Sequence, residues 1–425
     1  MQYNHNRYNA DTNSLVFFVD MNSYFATCEQ QVNYYLRGRP VGVCVYTGKF
    51  GCIIAPSVEA KKMGVKTGMR LNDAMKICPE LVPLETHPAR YREFHVKIIN
   101  VLKKYCNEVI PRSIDEAVMD LTSYRKIYPN PIELAKKIKA DIKNEVGDWM
   151  RCSIGIAPNA FLAKLATDLQ KPDGLVTIMP DNIDEVLSKL QLTDLPGISK
   201  GMAGRLERGS IYTPLELRHA TPDHLKRVCK SIVGIHWHYR LNFAEVDLMT
   251  RDYKSMQAMR QVSREQRSSV ENLRDILLTL CMTLERRMVH NNVFAKDFFM
   301  SFKYEDGFRW DDKLIHQRPL QDGVELYELV KSRMQKFEAA HQCEPLLNTN
   351  IISIGVGVTD FISDELIQYN LFENNVKKDK LRKIVYNIKD KYGSNKIMKA
   401  AELREKDIMK DVIGFGSVKD LQIDE

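Results

Sequence analysis

The hydrophobic pattern of this chain changes character twice, near Met179 and near Ala244, so no single core can serve all of it. Up to Met179, short apolar runs of strand type alternate with segments of helical period. Leu15–Val19 is a continuous apolar run ending at Asp20, which reads as a buried strand. A helix follows over Asn22–Gln31, with Asn22 or Ser23 as its N-cap. Pro40–Tyr46 and Cys52–Ala55 read as strands, Glu59–Met63 and Asn72–Cys78 as short helices, and Tyr91–Tyr105 as a longer one. Val109–Pro111 and Ala117–Leu121 flank Ser113-Ile114-Asp115-Glu116 as two strands around a tight connection. Pro131–Glu145 is helical, Cys152–Ala157 a strand and Phe161–Asp168 a helix. Such interleaving predicts an α/β or α+β core.

From Ile183 to Ala244 the pattern is helical with short loops, a small all-α module. Glu245–Ser255 is polar and without period, a linker. Gln257–Thr359 mixes strands and helices again. Within it Asn350–Thr359 alternates with period two, which predicts one buried face and one wet face. After Phe361 comes a separate tail. A chain of 425 residues suits this count, at roughly 150 residues per module.

Composition narrows the class. A hydrophobic fraction of 44% and a charged fraction of 28% exclude a disordered chain, a collagen-like fibre and a membrane protein. The opening Met1–Asn13 is polar, with no secretory signal visible, and no apolar run approaches a membrane span. Nine cysteines are scattered singly with no C-x-x-C pair, which reads as reduced thiols in a cytoplasmic protein. The formal net charge is +7, and Val376–Lys410 alone holds twelve Lys/Arg against five acids. The body is therefore near neutral, and a nucleic-acid surface on it must be a local patch offset by acids elsewhere. Holding metal ions is one purpose such acids could serve.

Four motifs carry chemistry. Asp20 ends the first strand, and Asp115-Glu116 sit in the tight connection. Adjacent side chains on a straight strand point to opposite faces, so Asp115 and Glu116 share a site only if the chain turns there. Three converging carboxylates repel unless divalent cations neutralise them, and hard oxygen ligands favour Mg²⁺. Two such ions clamp the attacking and leaving oxygens of a phosphoryl displacement. Taken alone, an Asp-Glu dipeptide is more often solvated surface. Lys164 lies within a Phe-Leu-Ala-Lys-Leu-Ala helix and Lys171-Pro172-Asp173-Gly174 follows it; both suit phosphate binding, or simply a solvated helix face and a turn. Pro196-Gly197-Ile198-Ser199-Lys200-Gly201-Met202-Ala203 reads as a helix-hairpin-helix that offers amides to a phosphate, with a plain helix–helix turn as competitor. Gln368-Tyr369-Asn370-Leu371-Phe372 suits a peptide that docks apolar side chains in a partner's groove, or two apolar residues folding back on the body.

In this order the residues resemble a Y-family (translesion) DNA polymerase of the UmuC/DinB type, over nearly the whole chain. The matching strings are Val19-Asp20-Met21-Asn22-Ser23-Tyr24-Phe25-Ala26, Glu59-Ala60-Lys61, Ser113-Ile114-Asp115-Glu116-Ala117 and Phe161-Leu162-Ala163-Lys164 with Lys171-Pro172-Asp173-Gly174. The resemblance implies a multi-domain α+β right-handed polymerase. Palm would be 1–31 and 89–180, fingers 32–88, and a thumb with the helix-hairpin-helix 181–246. A linker 247–255, a little-finger α/β domain 256–362 and a clamp-binding, basic tail 363–425 would follow.

It further implies that Asp20, Asp115 and Glu116 are catalytic and, with the Met21 carbonyl, bind two Mg²⁺ ions. Ser23, Tyr24, Phe25, Lys61 and Lys171 would bind the deoxynucleoside triphosphate, Phe25 as a steric gate against a ribose 2′-hydroxyl. Gly197, Ser199, Lys200, Gly201, Lys254 and Arg260 would contact primer-template DNA. The segment from Arg251 is basic and strand-like, and phosphate contacts without base reading are expected there. Gln368, Leu371 and Phe372 look like a sliding-clamp motif, and an accessory repair subunit is a further partner. Three positions depart from the family pattern. Val58 and Lys61 stand where many members have Tyr and Arg, and Ser199 replaces a hairpin glycine. Lys61 keeps the charge but loses the bidentate fork. The expected activity is low-fidelity, template-directed DNA synthesis past lesions. A catalytically silent repair scaffold and a two-metal nuclease or cyclase are the competing readings.

Overall fold

A computed structural model describes residues 9–48, 51–248, 254–368, 375–393, 396, 397 and 399. The chain forms two compact units that divide after residue 250.

The first unit opens with β1 (Val16–Met21), α1 (Tyr24–Val32), β2 (Val41–Cys44), β3 (Ile53–Pro56), α2 (Val58–Lys62) and α3 (Leu71–Ile77). Next come β4 (Val82–Glu85), α4 (Pro88–Lys103), β5 (Val109–Pro111), β6 (Glu116–Asp120), α5 (Pro131–Asp141), β7 (Cys152–Ala157), α6 (Ala160–Leu169) and β8 (Leu175–Thr177). Five strands form one sheet in the order β5-β6-β1-β7-β8, and β3-β2-β4 form a smaller one. Central β1 is covered on both faces, so all six of its residues are buried. Its parity separates two cores. Phe17, Val19 and Met21 pack with α1, α4 and α5, whereas Val16 and Phe18 pack with α6 and the helices that follow it. Asp20 shares the parity of Val16 and Phe18, so it faces α6. Glu116 lies opposite Asp20 in the β1–β6 register and has the same parity as Val118 in that second core. Gly155 makes the close approach of α6 possible, since a Cβ there would lie 2.0 Å from the Ala163 carbonyl oxygen.

Among the described residues of this unit five short α-helices follow: α7 (Ile183–Ser188), α8 (Lys200–Arg208), α9 (Pro214–His219), α10 (Pro222–Cys229) and α11 (Ile232–Leu241). The expected linker is partly tied down. The Glu245 carboxylate accepts the Ala160 N–H at 2.8 Å, and Asp247 accepts from Arg240 Nε at 2.9 Å.

The second unit contains β9 (Ser255–Gln261), α12 (Val270–His290), β10 (Val293–Tyr304), β11 (Arg309–Leu320), α13 (Gly323–His341), β12 (Ile351–Ser363) and α14 (Asn375–Tyr392). Its sheet has the order β11-β10-β12-β9. The expectation of a wet face on Asn350–Thr359 is corrected here. β12 is an inner strand, and both parities are buried from Ser353 to Val358. The Phe299 ring lies over Gly357, where a Cβ would come within 1.9 Å of Cζ. The expected separate tail is corrected too, because α14 packs against α12 through buried Arg382 and Glu285. No described helix is long and apolar enough to cross a membrane.

Candidate active site

The turn that the Asp115-Glu116 pair required is present. Arg112 and Ser113 N–H groups both donate to the Glu116 carbonyl, at 2.8 and 3.2 Å, and the Ser113 hydroxyl donates to Asp115 Oδ1 at 2.5 Å. The Met21 N–H donates to the Asp115 carbonyl at 2.9 Å, which ties this turn to the end of β1. Asp20, Asp115 and Glu116 consequently open on one cavity of about 670 Å³, together with Met21, Ser23, Tyr24, Phe25, Lys61 and Lys171. Val58 also lines it.

Two lysines answer the acids. Lys164 Nζ donates to Asp20 Oδ2 at 2.5 Å and to Glu116 Oε1 at 2.6 Å, and Lys171 Nζ donates to Asp20 Oδ2 at 2.8 Å. Burial alone would lower the Lys164 ammonium, yet Asp20 and Glu116 outweigh it and hold the group well above its ordinary range. Lys171 is raised in the same way, burial being outweighed chiefly by Asp20. Lys61 moves the other way, lowered by burial and by Lys171. Burial pushes the Asp115 carboxyl up to about 6, with Glu116 and Asp20 adding repulsion and the Ser113 hydrogen bond opposing them.

This donor set fits a hard divalent cation. Among the described residues, no three His, Cys, Asp or Glu side chains close on a point by themselves. Asp20 and Glu116 converge instead on the Lys164 ammonium, a monovalent stand-in with which a divalent ion would compete for the same oxygens.

The start of α1 is also built for the cavity. Ser23 is its N-cap in geometry, at φ 49°, but neither Ser23 nor Asn22 caps with its side chain. The Ser23 hydroxyl is buried without a hydrogen-bond partner. Asn22 is a staple: its amide donates to Ser153 Oγ at 3.1 Å and its carbonyl accepts the Asp173 N–H at 2.7 Å. Phe25 is 6% exposed and stacks on Tyr91 with ring centroids 4.5 Å apart. The Tyr91 hydroxyl donates to buried Glu29 at 2.8 Å, and Arg90 also pairs with Glu29. Sequence reasoning missed this brace and the double role of Lys164. A signal for Lys164 existed, since it is the sole charged residue from Ala160 to Thr167.

The remaining candidates are dispersed. Gly197 turns with φ +86°, whereas Ser199 is extended at φ −82° and heads α8, so the lost hairpin glycine is not a left-handed position here. Gly197 lines a second cavity of about 400 Å³ that shares Glu116 and Lys164 with the first. Ser199, Lys200 and Gly201 are exposed. In the second unit Lys254 is exposed, but Arg260 has the parity of buried Met256 and Ala258, and burial lowers its guanidinium. Gln368 is exposed. Leu371, Phe372, Arg251 and the tail beyond residue 399 lie outside the described residues.

Comparison with known proteins gives the family. Residues 19–168 match the impB/mucB/samB family, and residues 253–371 match the impB/mucB/samB family C-terminal domain. DNA polymerase IV of Alkaliphilus oremlandii (strain OhILAs) is 28% identical over 406 residues, covering 92% of this chain and 99% of that protein. DNA polymerase IV 1 of Bacillus subtilis (strain 168) is 29% identical over 403 residues, covering 92% and 94%. A solved Y-family DNA polymerase chimera, Dbh-Dpo4(243-245)-Dbh, superposes with TM-score 0.67 at 25% identity, covering 82% of this chain and 99% of that one. The two matched regions span more than half of the chain, which belongs to the impB/mucB/samB family of Y-family polymerases. It is a DNA-directed DNA polymerase of the translesion type, a class that depends on divalent metal.

Proposed function

We propose that the cavity beside Asp20 is the nucleotidyl-transfer centre, where a primer 3′-hydroxyl attacks the α-phosphate of a deoxynucleoside triphosphate and pyrophosphate leaves. The observation that supports this most is the convergence of Asp20, Asp115 and Glu116 on one cavity with Phe25 at its wall. Those three carboxylates and the Met21 carbonyl would hold two Mg²⁺ ions. When bound, the ions supply the charge that stabilises the attacking and leaving oxygens.

The chain's own groups bind and orient. The amides at the start of α1 and the unpartnered Ser23 hydroxyl receive phosphate oxygens. Lys61 and Lys171 add positive charge there. Phe25, fixed against Tyr91, excludes a 2′-hydroxyl. Gly197, Ser199, Lys200 and Gly201 grip a DNA backbone from a thumb at 181–246, Lys254 contributes from the linker at 247–255, and Arg260 from a little finger that starts at 256. Solved relatives titled as ternary and binary complexes of Dbh DNA polymerase support DNA and nucleotide as partners. Gln368, Leu371 and Phe372 engage a sliding clamp, an accessory repair subunit is a further partner, and the free cysteines suit the cytoplasm.

Primer extension on an abasic template tests the centre. Incorporation should require Mg²⁺ and vanish in the double variant Asp115→Ala/Glu116→Ala, while DNA binding persists. Undiminished synthesis by that variant would refute the assignment.

A further inference from the structure

Helix α14 packs with its polar face inward. Asp379, Arg382, Tyr386 and Lys389 recur at helical spacing and are buried, the reverse of an ordinary surface helix. Arg382 is the anchor. It donates to Asp322 Oδ2 at 2.8 Å and Asp379 Oδ1 at 2.7 Å, and its Nε lies 3.8 Å from the carboxylate of fully buried Glu285. Glu285 also accepts the Gly323 N–H and the Lys399 ammonium, each at 2.5 Å. Farther along, Asp390 pairs with His290 at 3.2 Å. Directional bonds of this kind fix the rotation of the helix about its axis, and so they settle which side looks outward.

The outward side is apolar and cationic. Leu381 is 62% exposed, Ile384 53% and Tyr392 58%, with Val385 and Ile388 half-buried alongside. Lys377, Lys378, Lys380 and Lys391 are exposed around them. The helix has two acids, Asp379 and Asp390, and Arg382 and His290 hold both toward the body. Every exposed charge on α14 is therefore positive.

We propose that this face is a docking site for an acidic amphipathic helix of a partner protein. The partner's apolar stripe would cover Leu381 and Ile384, and its carboxylates would meet the flanking lysines. A second copy of this chain fits poorly, because two such faces set lysine against lysine. Duplex DNA would satisfy the lysines but leave Leu381 and Ile384 in water.

The test uses the full chain and a designed, fluorescein-labelled Leu/Glu amphipathic peptide, with a Leu/Lys peptide of the same pattern as control. Anisotropy should show binding of the acidic peptide alone. Leu381→Ser/Ile384→Ser and, separately, Lys377→Glu/Lys378→Glu/Lys380→Glu should each weaken it by about tenfold or more, with primer extension unchanged. Equal binding of the two peptides, or no loss on charge reversal, overturns the proposal. In cells, a photoreactive benzoyl-phenylalanine in place of Ile384 should crosslink to an acidic helical segment of another protein and lose that adduct on charge reversal. Adducts confined to DNA, to a second copy, or to residues 400–425 of the same chain also overturn it.

Discussion

Phe25→Ala should relax sugar selection, and the structure bounds by how much. The Phe25 ring cannot retreat from a 2′-hydroxyl, because it stacks on Tyr91, which is fully buried. Tyr91 is itself held at both ends. Its hydroxyl donates to Glu29, and its backbone carbonyl accepts the Tyr24 hydroxyl at 2.7 Å. Pressing one extra polar atom against so fixed a ring resembles overpacking a core, which costs about 1–3 kcal/mol. In kcat/KM that is about 5- to 160-fold of discrimination against a ribonucleotide. Removing a buried phenylalanine also costs about 3–5 kcal/mol of stability, so Phe25→Leu serves as a milder companion. The assay is single-nucleotide extension with dCTP and CTP on one template, alongside thermal melts of each variant. Discrimination should fall most in Phe25→Ala and by an intermediate factor in Phe25→Leu. Unchanged selectivity in variants that melt as folded protein would place the gate elsewhere.

Three further outcomes follow from the same geometry. Asp115→Asn should stabilise the metal-free protein at about pH 8 but not at about pH 4. The native carboxyl is raised from 3.8 to about 6, so its ionisation opposes folding fully above pH 6 and not at all below 3.8. That shift is worth about 3 kcal/mol at most, and about 1–2 once solvent screens a half-buried group; urea melts giving the same gain at both pH values would show that burial is not the cause. Lys164→Ala should lower the melting temperature without metal and enlarge the rise on adding Mg²⁺, since Glu116 loses its ammonium partner and Asp20 keeps only Lys171. An unchanged response to Mg²⁺ would deny that ammonium and metal compete. Arg382→Met should release α14, because breaking a buried ion pair costs about 3–5 kcal/mol. Hydrogen exchange would read this as lost protection in Asn375–Tyr392, and full protection would mean that packing rather than charge holds the helix.

Much of the cavity beside Asp20 was legible in local strings. Asp20 closes a run too apolar to lie anywhere but the middle of a sheet, and the Ser113–Glu116 turn announces itself because no straight strand could present both acids. The helical segment Ile183–Ala244 was legible for the same reason, its period being a property of neighbours in sequence. Asn350–Thr359 misled. Its alternation is real, but an inner strand overlaid by Phe299 buries both parities, and nothing inside the segment reports its neighbours.

Order along the chain thus determined the strands, the helices and the acids that end them, because backbone periodicity is set within a few residues. The tertiary structure alone decided what meets those acids. Lys164 reaches Asp20 across 144 positions, Glu29 braces Tyr91 across 62, and Arg382 reaches Asp322 across 60. Contacts at such separations are chosen by how sheets, helices and buried charges satisfy one another when packed, and that choice leaves no periodic trace in the segments that make it.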